Sequence, residues 1–175
     1  FYGRHTFMER PMGICASELR QWVIKPTLKR LGVYSKAAEN LLLATAAQES
    51  GLGSHLKPAG QRALGIYQIH SLSHRHIWDD HLALHSDMAS LVRGLASQHD
   101  FLSQPHAELA TNLSYATAIA WFMYARHEDF HLPKHNDVTA LGGLWKRFYH
   151  PKSKSSVEDF TDNFSHYIAQ QEIAA

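Results

Sequence analysis

The most constraining feature of this sequence is a helical run that is apolar on almost every side. Ser35 is suited to cap the start of a helix, and Gly51 and Gly53 are placed to end it. The apolar residues between these points do not form a single stripe. They are Ala37, Ala38, Leu41, Leu42, Ala44 and Ala46. A helix of this kind is normally buried, so we expect the rest of the chain to pack around it.

Most other segments carry apolar residues at helical spacing, and few have the alternation of a β-strand. The helical stripes lie near residues 17–31, 84–102, 109–126 and 157–168. The segment from Ala63 to Ile69 could be an extended strand or a tight turn into another helix, and periodicity does not decide for so short a run. We therefore expect a mainly α fold, a compact helical domain with at most a small β contribution.

The size of the chain fits one domain. It has 175 residues, of which 45% are hydrophobic, enough for one hydrophobic core. No linker, repeat or low-complexity segment divides it, so a single domain is expected over residues 1–175. Residues 1–16 have no clear period, and we expect an irregular N-terminal arm that lies over the core.

Charge and hydropathy exclude several function classes. The formal net charge is +1 and no basic run is present, so no nucleic-acid partner is expected. The apolar runs are far shorter than the roughly 20 residues that span a bilayer, so no stable membrane insertion is expected. The chain begins at Phe1 without the pattern of a signal peptide, and the sequence does not fix its localisation. The single cysteine, Cys15, excludes an intrachain disulfide.

Glu49 is the strongest candidate for chemistry. It stands at the C-terminal end of the apolar helix, where burial disfavours a carboxylate and the helix dipole presents negative charge. A carboxyl group that keeps its proton near neutral pH can act as a general acid. The residues also leave open a surface glutamate at a frayed helix end.

A short apolar segment, Gly65-Ile66-Tyr67-Gln68-Ile69, follows a loop that contains glycine and proline. Gln68 has amide donors and an acceptor that could face the same cleft as Glu49. Tyr67 could lie against a ligand ring or pack in the core, and Gly65 would let the backbone come close to a ligand. Without Glu49, an ordinary turn followed by a buried strand is the simpler interpretation.

Two ordered motifs resemble the leading motifs of the soluble lytic transglycosylases and goose-type lysozymes. They are Ala46-Ala47-Gln48-Glu49-Ser50-Gly51 and, after a loop, Gly65-Ile66-Tyr67-Gln68-Ile69. The family has a Glu-Ser pair at a helix end and then Gly-Leu-Met-Gln-Ile or Gly-Leu-Phe-Gln-Ile. From about Glu39 to Tyr167, the sequence is similar to a group of bacteriophage proteins with a transglycosylase-like domain. The resemblance implies a lysozyme-like fold.

The resemblance also implies an activity, cleavage of the β-1,4 bond between N-acetylmuramic acid and N-acetylglucosamine in peptidoglycan by a lytic transglycosylase or a lysozyme. Glu49 would be the single catalytic acid and base, because groups of the substrate itself can replace the second carboxylate of other glycosidases. Ser50, Gly65, Tyr67 and Gln68 would bind the substrate. No metal and no cofactor are implied. The partners would be peptidoglycan glycan strands at the bacterial cell wall and, for a phage protein, other virion proteins.

A third element of the family is a Tyr-Asn pair on a later helix, whose tyrosine hydrogen-bonds the catalytic acid. Tyr124 is the candidate, although Ala125 stands where the family has asparagine, and Tyr115 is the alternative. The resemblance therefore implies that one of these tyrosines contacts Glu49 and helps to bind the substrate.

Two other function classes remain open. The first is a non-catalytic virion or cell-wall-binding protein on a lysozyme-like scaffold, which the missing asparagine favours. The second is a metalloenzyme that uses histidines such as His81 and His85, whose spacing places two imidazoles on one helical face. No glutamate beside this pair completes a His-Glu-x-x-His motif, so surface or capping histidines are the preferred interpretation.

Overall fold

The structure, a computed structural model, describes residues 13–174. Over this range the fold is mainly α-helical with one small two-stranded sheet, which confirms the predicted fold class. Within the same range, no helix combines the length and apolar character that crossing a membrane requires. The helices are α1 (Ala16–Leu19), α2 (Lys25–Arg30), α3 (Lys36–Ser50), α4 (Ser71–His76), α5 (Ser86–Leu95), α6 (Asp100–Ser103), α7 (Glu108–Thr111), α8 (Leu113–Ala125), α9 (Val138–Leu144), α10 (Val157–Phe164) and α11 (Gln170–Ala174).

Several of these helices are continued by turns with a different hydrogen-bonding pattern. In a π-helical turn the backbone bonds run from residue i to residue i+5, and in a 3-10 turn from i to i+3. The π-helical turns are Arg20–Ile24, Ile77–His81, Trp145–Tyr149 and Ser165–Ala169, and the 3-10 turns are Leu82–Leu84 and Pro105–Ala107.

Helix α3 is buried along most of its length, as its apolar sequence predicts. The Ser35 side chain accepts a hydrogen bond from the backbone N–H of Ala38 at 3.0 Å and caps the start of the helix. Gly51, with φ of 58°, ends it in the left-handed region that glycine favours. Every residue from Ala37 to Ala47 is buried, so α3 runs through the core and holds Glu49 near its C-terminal end.

The N-terminal segment differs in part from its prediction. Most of the predicted arm, residues 1–16, lies outside the described residues. Residues 13–15 pack against the turn after α3, where the N–H of Ile14 donates to the carbonyl of Leu52 at 2.7 Å. Trp22 falls at helical spacing in the apolar stripe of residues 17–31, which predicts that it packs in the core, but it is 74% exposed. Pro26 is expected to kink this helix or split it in two. The helix is not split, because helical residues continue without a gap from Ala16 to Arg30, with a π-helical turn directly before α2.

The strands form a hairpin just after the long loop from α3. Strand β1 (Ala63–Leu64) pairs antiparallel with β2 (Ile69–His70). Gly65 and Gln68, in the turn between the strands, have φ angles of 79° and 49°. The hairpin brings this turn beside the C-terminal end of α3, because the Ser50 hydroxyl donates to the carbonyl of Ile66 at 2.6 Å.

Candidate functional site

Glu49 lies just before the end of α3 with its carboxyl group held by two other side chains. Its Oε1 accepts a hydrogen bond from Nε1 of Trp145 at 2.9 Å and lies 3.0 Å from Nδ1 of His150. Only 8% of the Glu49 side chain is exposed. The alternative of a surface glutamate at a frayed helix end is therefore wrong.

The π-helical turn Trp145–Tyr149 and the residue that directly follows it supply both partners of Glu49. Trp145 begins the turn, and the backbone N–H of His150 donates to the carbonyl of Trp145 at 2.9 Å. In a continuous α-helix, residues five apart would point about 140° away from each other. His150 instead leaves the helical conformation, with φ of −138° and ψ of 65°, and its imidazole lies on the same side as the Trp145 indole. Both therefore reach the same carboxylate oxygen.

The electrostatic character of His150 follows from this contact. The hydrogen bond to Glu49 raises the pKa of His150 above its ordinary value, while partial burial and the neighbouring Lys146 act in the opposite direction. The imidazole is therefore cationic to a higher pH than a free histidine side chain. The indole N–H of Trp145 can only donate and is always neutral. Oε1 of Glu49 therefore faces one donor that does not titrate, Trp145, and one that does, His150.

Glu49 and His150 line a cavity of about 590 Å³. Most of the residues that line it have polar side chains, and it is large enough for a small ligand. The polar residues of the wall are Glu49, His55, Gln61, Gln68, His70 and His150. Among the described residues, hydrogen bonds reach only Oε1 of Glu49, which leaves Oε2 available to a ligand.

Gln68 lines the same cavity as Glu49, as the motif order predicts. Its amide nitrogen is already used, because Nε2 donates to the carbonyl of Leu56 at 3.1 Å and to that of Gly65 at 2.8 Å. These bonds hold Gln68 at its positive φ, a conformation uncommon for a residue with a side chain. The amide oxygen, which accepts no hydrogen bond from the described residues, is the group that Gln68 can offer to a ligand.

Ser50 and Gly65 have structural roles in place of the substrate contacts that the resemblance implies. Ser50 is fully buried, and its hydroxyl accepts from the N–H of Gly53 at 2.8 Å while it donates to Ile66. A Cβ atom on Gly65 would lie 1.7 Å from the carbonyl oxygen of Leu109. Glycine is therefore required at position 65 because the backbone of Leu109 lies so close. The prediction that Gly65 lets a ligand approach is wrong.

Tyr67 packs in the core, which was one of its two predicted positions. It is fully buried, its hydroxyl is 2.9 Å from that of Thr117, and its carbonyl accepts from the hydroxyl of Tyr149 at 2.6 Å. Burial raises the pKa of the Tyr67 phenol far above its ordinary value. The alternative prediction, that the Tyr67 ring lies against a ligand, is wrong because neither face of the ring is exposed.

Neither candidate tyrosine of α8 is hydrogen-bonded to Glu49. The Thr45 hydroxyl donates to the carbonyl of Leu41, so the Tyr124 hydroxyl, 2.7 Å away, donates to Thr45. Tyr115 instead lies 2.6 Å from Nε2 of His74 and accepts from the Trp78 indole at 2.8 Å. Both tyrosines are fully buried. The predicted hydrogen bond from Tyr124 or Tyr115 to Glu49 is therefore wrong, and so is the prediction that these buried tyrosines contact the substrate. Trp145 and His150 are the residues that contact Oε1 of Glu49.

The histidines form pairs without a metal-binding cluster. His81 and His85 have ring centroids 4.6 Å apart, but Nδ1 of His85 is bonded to the carbonyl of His81 at 2.8 Å. The segment His127-Glu128-Asp129-Phe130-His131 has the letters of a zinc-protease motif. It follows the end of α8 and is not helical, so its histidines do not share a helix face. Within residues 13–174, no three His, Cys, Asp or Glu side chains are grouped to hold a metal ion.

Sequence reasoning missed both partners of Glu49. Trp145 and His150 are 96 and 101 residues away from it along the chain. The sequence from Leu141 to Tyr149 is rich in aromatic residues and predicts only a short helix, and nothing in it pointed towards Glu49. Comparison with protein-family models, with curated proteins and with solved structures found no match.

Proposed function

We propose that this chain cleaves peptidoglycan glycan strands, as a lytic transglycosylase or a lysozyme, with Glu49 as its single catalytic acid and base. One observation carries the proposal: the Glu49 carboxyl group is held at Oε1 by Trp145 and His150 on the wall of a cavity of about 590 Å³. A general acid needs a fixed orientation and one oxygen open to the substrate. Oε2 meets the second requirement.

The composition of the cavity wall supports a mechanism with one carboxyl group. Glu49 is the only carboxylate among the described residues that line it. An ordinary glycosidase would need a second carboxylate a few ångströms away. A single acid is enough when the acetamido group or the 6-hydroxyl of the muramoyl residue takes the place of the second one. Gln68, from the second motif, adds an acceptor on the same wall.

The proposed reaction proceeds by proton transfer at Oε2. Glu49 gives its proton to the glycosidic oxygen as the bond from that oxygen to C1 of the muramoyl residue breaks. The carboxylate then removes a proton from the nucleophile that attacks C1. If the nucleophile is the muramoyl 6-hydroxyl the product is an anhydro sugar, and if it is water the product is a reducing end. Glu49 regains its proton in either case.

A turbidity assay on purified peptidoglycan tests the proposal. Wild type should clear the suspension, and Glu49→Gln should reduce the rate at least about 100-fold because the amide cannot donate an acidic proton. Glu158→Gln, a change of the same type at an exposed residue, is the matched control and should clear like wild type. Equal clearing by Glu49→Gln and wild type would remove Glu49 as the acid. Mass spectrometry of the fragments distinguishes anhydro from reducing products.

The second candidate function is a non-catalytic protein that binds the cell wall or other virion proteins. The absence of a hydrogen bond between Glu49 and Tyr124 or Tyr115, among the described residues, favours it. A pull-down with insoluble peptidoglycan separates the two functions. Binding of the wild-type protein without any clearing or soluble fragments would support the binding function over the enzyme.

A further inference from the structure

His150 lies at the border between Glu49 and solvent. The side chain of His150 is 45% exposed, whereas that of Glu49 is 8% exposed. The two are joined by the 3.0 Å contact from Nδ1 to Oε1, and both line the cavity. His150 is therefore the member of the pair that exchanges protons with water more easily.

We propose that His150 is a positioning residue for Glu49 that also sets the pH range of cleavage, because the pair must take up a second proton before Glu49 can act as an acid. This inference rests on the proposed function. The first proton resides on the imidazole and makes an ion pair with the carboxylate. The second proton goes to Oε2 of Glu49 and is the one given to the glycosidic oxygen.

The position of the second proton follows from the donors on Oε1. The Trp145 indole N–H occupies Oε1 at 2.9 Å whatever the pH, because indole can only donate. The imidazolium donates to the same oxygen. A proton added to the carboxyl group therefore binds Oε2, which is the oxygen left to the ligand. His150 thus helps to direct the reactive proton towards the cavity.

The charges around the pair are few, so the two groups mainly influence each other. The hydrogen bond and the charge of Glu49 raise the pKa of His150, whereas burial and Lys146, four residues earlier in the chain, lower it. Burial holds the pKa of the nearby phenols of Tyr124 and Tyr149 well above their usual range, so both are neutral. His55 and His70 face the pair from the remaining wall of the cavity. No other carboxylate among the described residues lines this wall.

Replacing His150 by asparagine separates its charge from its hydrogen bond. The amide can still donate to Oε1, but it carries no positive charge at any pH. A cation beside a carboxylate favours the ionised form, and His150 is the cation in contact with this carboxyl group, so its removal favours the acidic form that cleavage needs. Cleavage by His150→Asn is therefore expected to extend towards neutral pH, whereas loss of a merely structural residue would lower the rate equally at all pH values.

The test is the pH dependence of peptidoglycan cleavage between about pH 4 and 8 for wild type, His150→Asn and His150→Phe. The alkaline limb of kcat should move up by about one pH unit in both variants, and His150→Phe should also lose rate at its plateau because the donor is missing. His76→Asn, at an exposed histidine outside the cavity, should keep the wild-type profile. An alkaline limb that stays in place or moves down in His150→Asn would overturn the inference and leave the proposed function intact.

A second measurement does not depend on cleavage. The His150 imidazole can be titrated by NMR in wild type and in Glu49→Gln, and its pKa should fall when the carboxylate is removed. An unchanged titration would overturn the inference even in an active enzyme. If the His150 titration shifts as expected but the wild type cleaves no peptidoglycan, the proposed function is wrong, while the electrostatic interaction between Glu49 and His150 is still confirmed.

Discussion

Trp145 donates its indole N–H to Oε1 of Glu49 at 2.9 Å, across 96 residues of sequence. The indole ring is fully buried and stacks on Phe160 with centroids 5.6 Å apart. Because the ring is fixed by packing, the direction of its N–H is fixed too. The orientation of the proposed acid is thus set by a residue near the other end of the chain.

Replacing Trp145 by phenylalanine should keep an aromatic ring over Phe160 but remove the donor to Glu49. We expect kcat for peptidoglycan cleavage to fall about 100-fold with little change in KM, since the carboxyl group loses its fixed orientation. The free energy of unfolding should fall by about 1–3 kcal/mol, measured by urea denaturation. Trp121→Phe is the control, because Trp121 is also buried but packs against Phe130 and is not among the described residues that line the cavity of Glu49. Equal losses of kcat in the two variants would contradict the role of the indole N–H.

Gly65→Ala should prevent folding or lower the free energy of unfolding by more than about 4 kcal/mol. The new Cβ would lie 1.7 Å from the carbonyl oxygen of Leu109. Gly60→Ala is a matched control, since Gly60 has φ of 74° against 79° at Gly65 but no atom within 4 Å of the added Cβ. It should cost only the strain of the left-handed backbone, about 1 kcal/mol. Similar unfolding curves for the two variants would show that backbone strain, and not the contact with Leu109, requires the glycine.

Tyr124→Phe should lower stability without removing activity. The Tyr124 hydroxyl donates to Thr45 at 2.7 Å, and losing this buried bond should cost about 1 kcal/mol in thermal or urea denaturation. The rate of peptidoglycan cleavage should stay within about threefold of wild type because no bond to Glu49 is lost. A drop of 100-fold or more (about two orders of magnitude) at unchanged folding would instead support the tyrosine role that the resemblance implies.

Acid should destabilise the fold through His74. Burial lowers the pKa of His74 to about 4. His106, whose Nδ1 lies 2.9 Å from Nδ1 of His74, lowers this pKa further. An unfolded imidazole has a pKa of about 6.5, so between about pH 6.5 and 4 the unfolded chain binds a proton that the native state does not. The contribution of His74 to stability is thus present above pH 6.5 and declines by up to about 3 kcal/mol as pH falls to 4.

The corresponding measurement is urea denaturation at several pH values from 7 to 4.5. His74→Gln should flatten the dependence of stability on pH, even if the variant is less stable at pH 7. His76→Gln, at an exposed position on the same helix, should keep the wild-type dependence. If the free energy of unfolding of His74→Gln depended on pH as it does in wild type, groups other than His74 would be responsible for the acid sensitivity.

Local patterns predicted the elements and one part of the site. The apolar run of α3, its cap at Ser35 and its end at Gly51 could be predicted because capping and burial depend on residues close in sequence. The pairing of Glu49 with Gln68 on one cavity followed from two ordered motifs separated by the loop after α3. Single positions inside correct helices were harder to predict, as the exposed Trp22 illustrates.

Long-range contacts could not be predicted from these patterns. The Tyr124 hydroxyl bonds to Thr45 within α3 instead of to Glu49 on the same helix. No rule of sequence spacing predicts which of two buried partners a tyrosine hydroxyl will bond. The contribution of His150 depends on a π-helical turn, which has no reliable sequence signal. The letters His-Glu-x-x-His at residues 127–131 show the opposite case, in which a motif is present without the helix that its chemistry needs.

The π-helical turn at Trp145–Tyr149 makes the site sensitive to chain length. Inserting one residue between Trp145 and His150 would place them six positions apart, and in an α-helical turn their side chains would then point about 120° away from each other. Either residue could then reach Glu49 only if the other turned away. Insertions in this stretch are therefore expected to be more damaging than most single replacements at Lys146 or Arg147. For protein engineering, the stretch 145–150 is best transplanted whole, since its register matters as much as its residues.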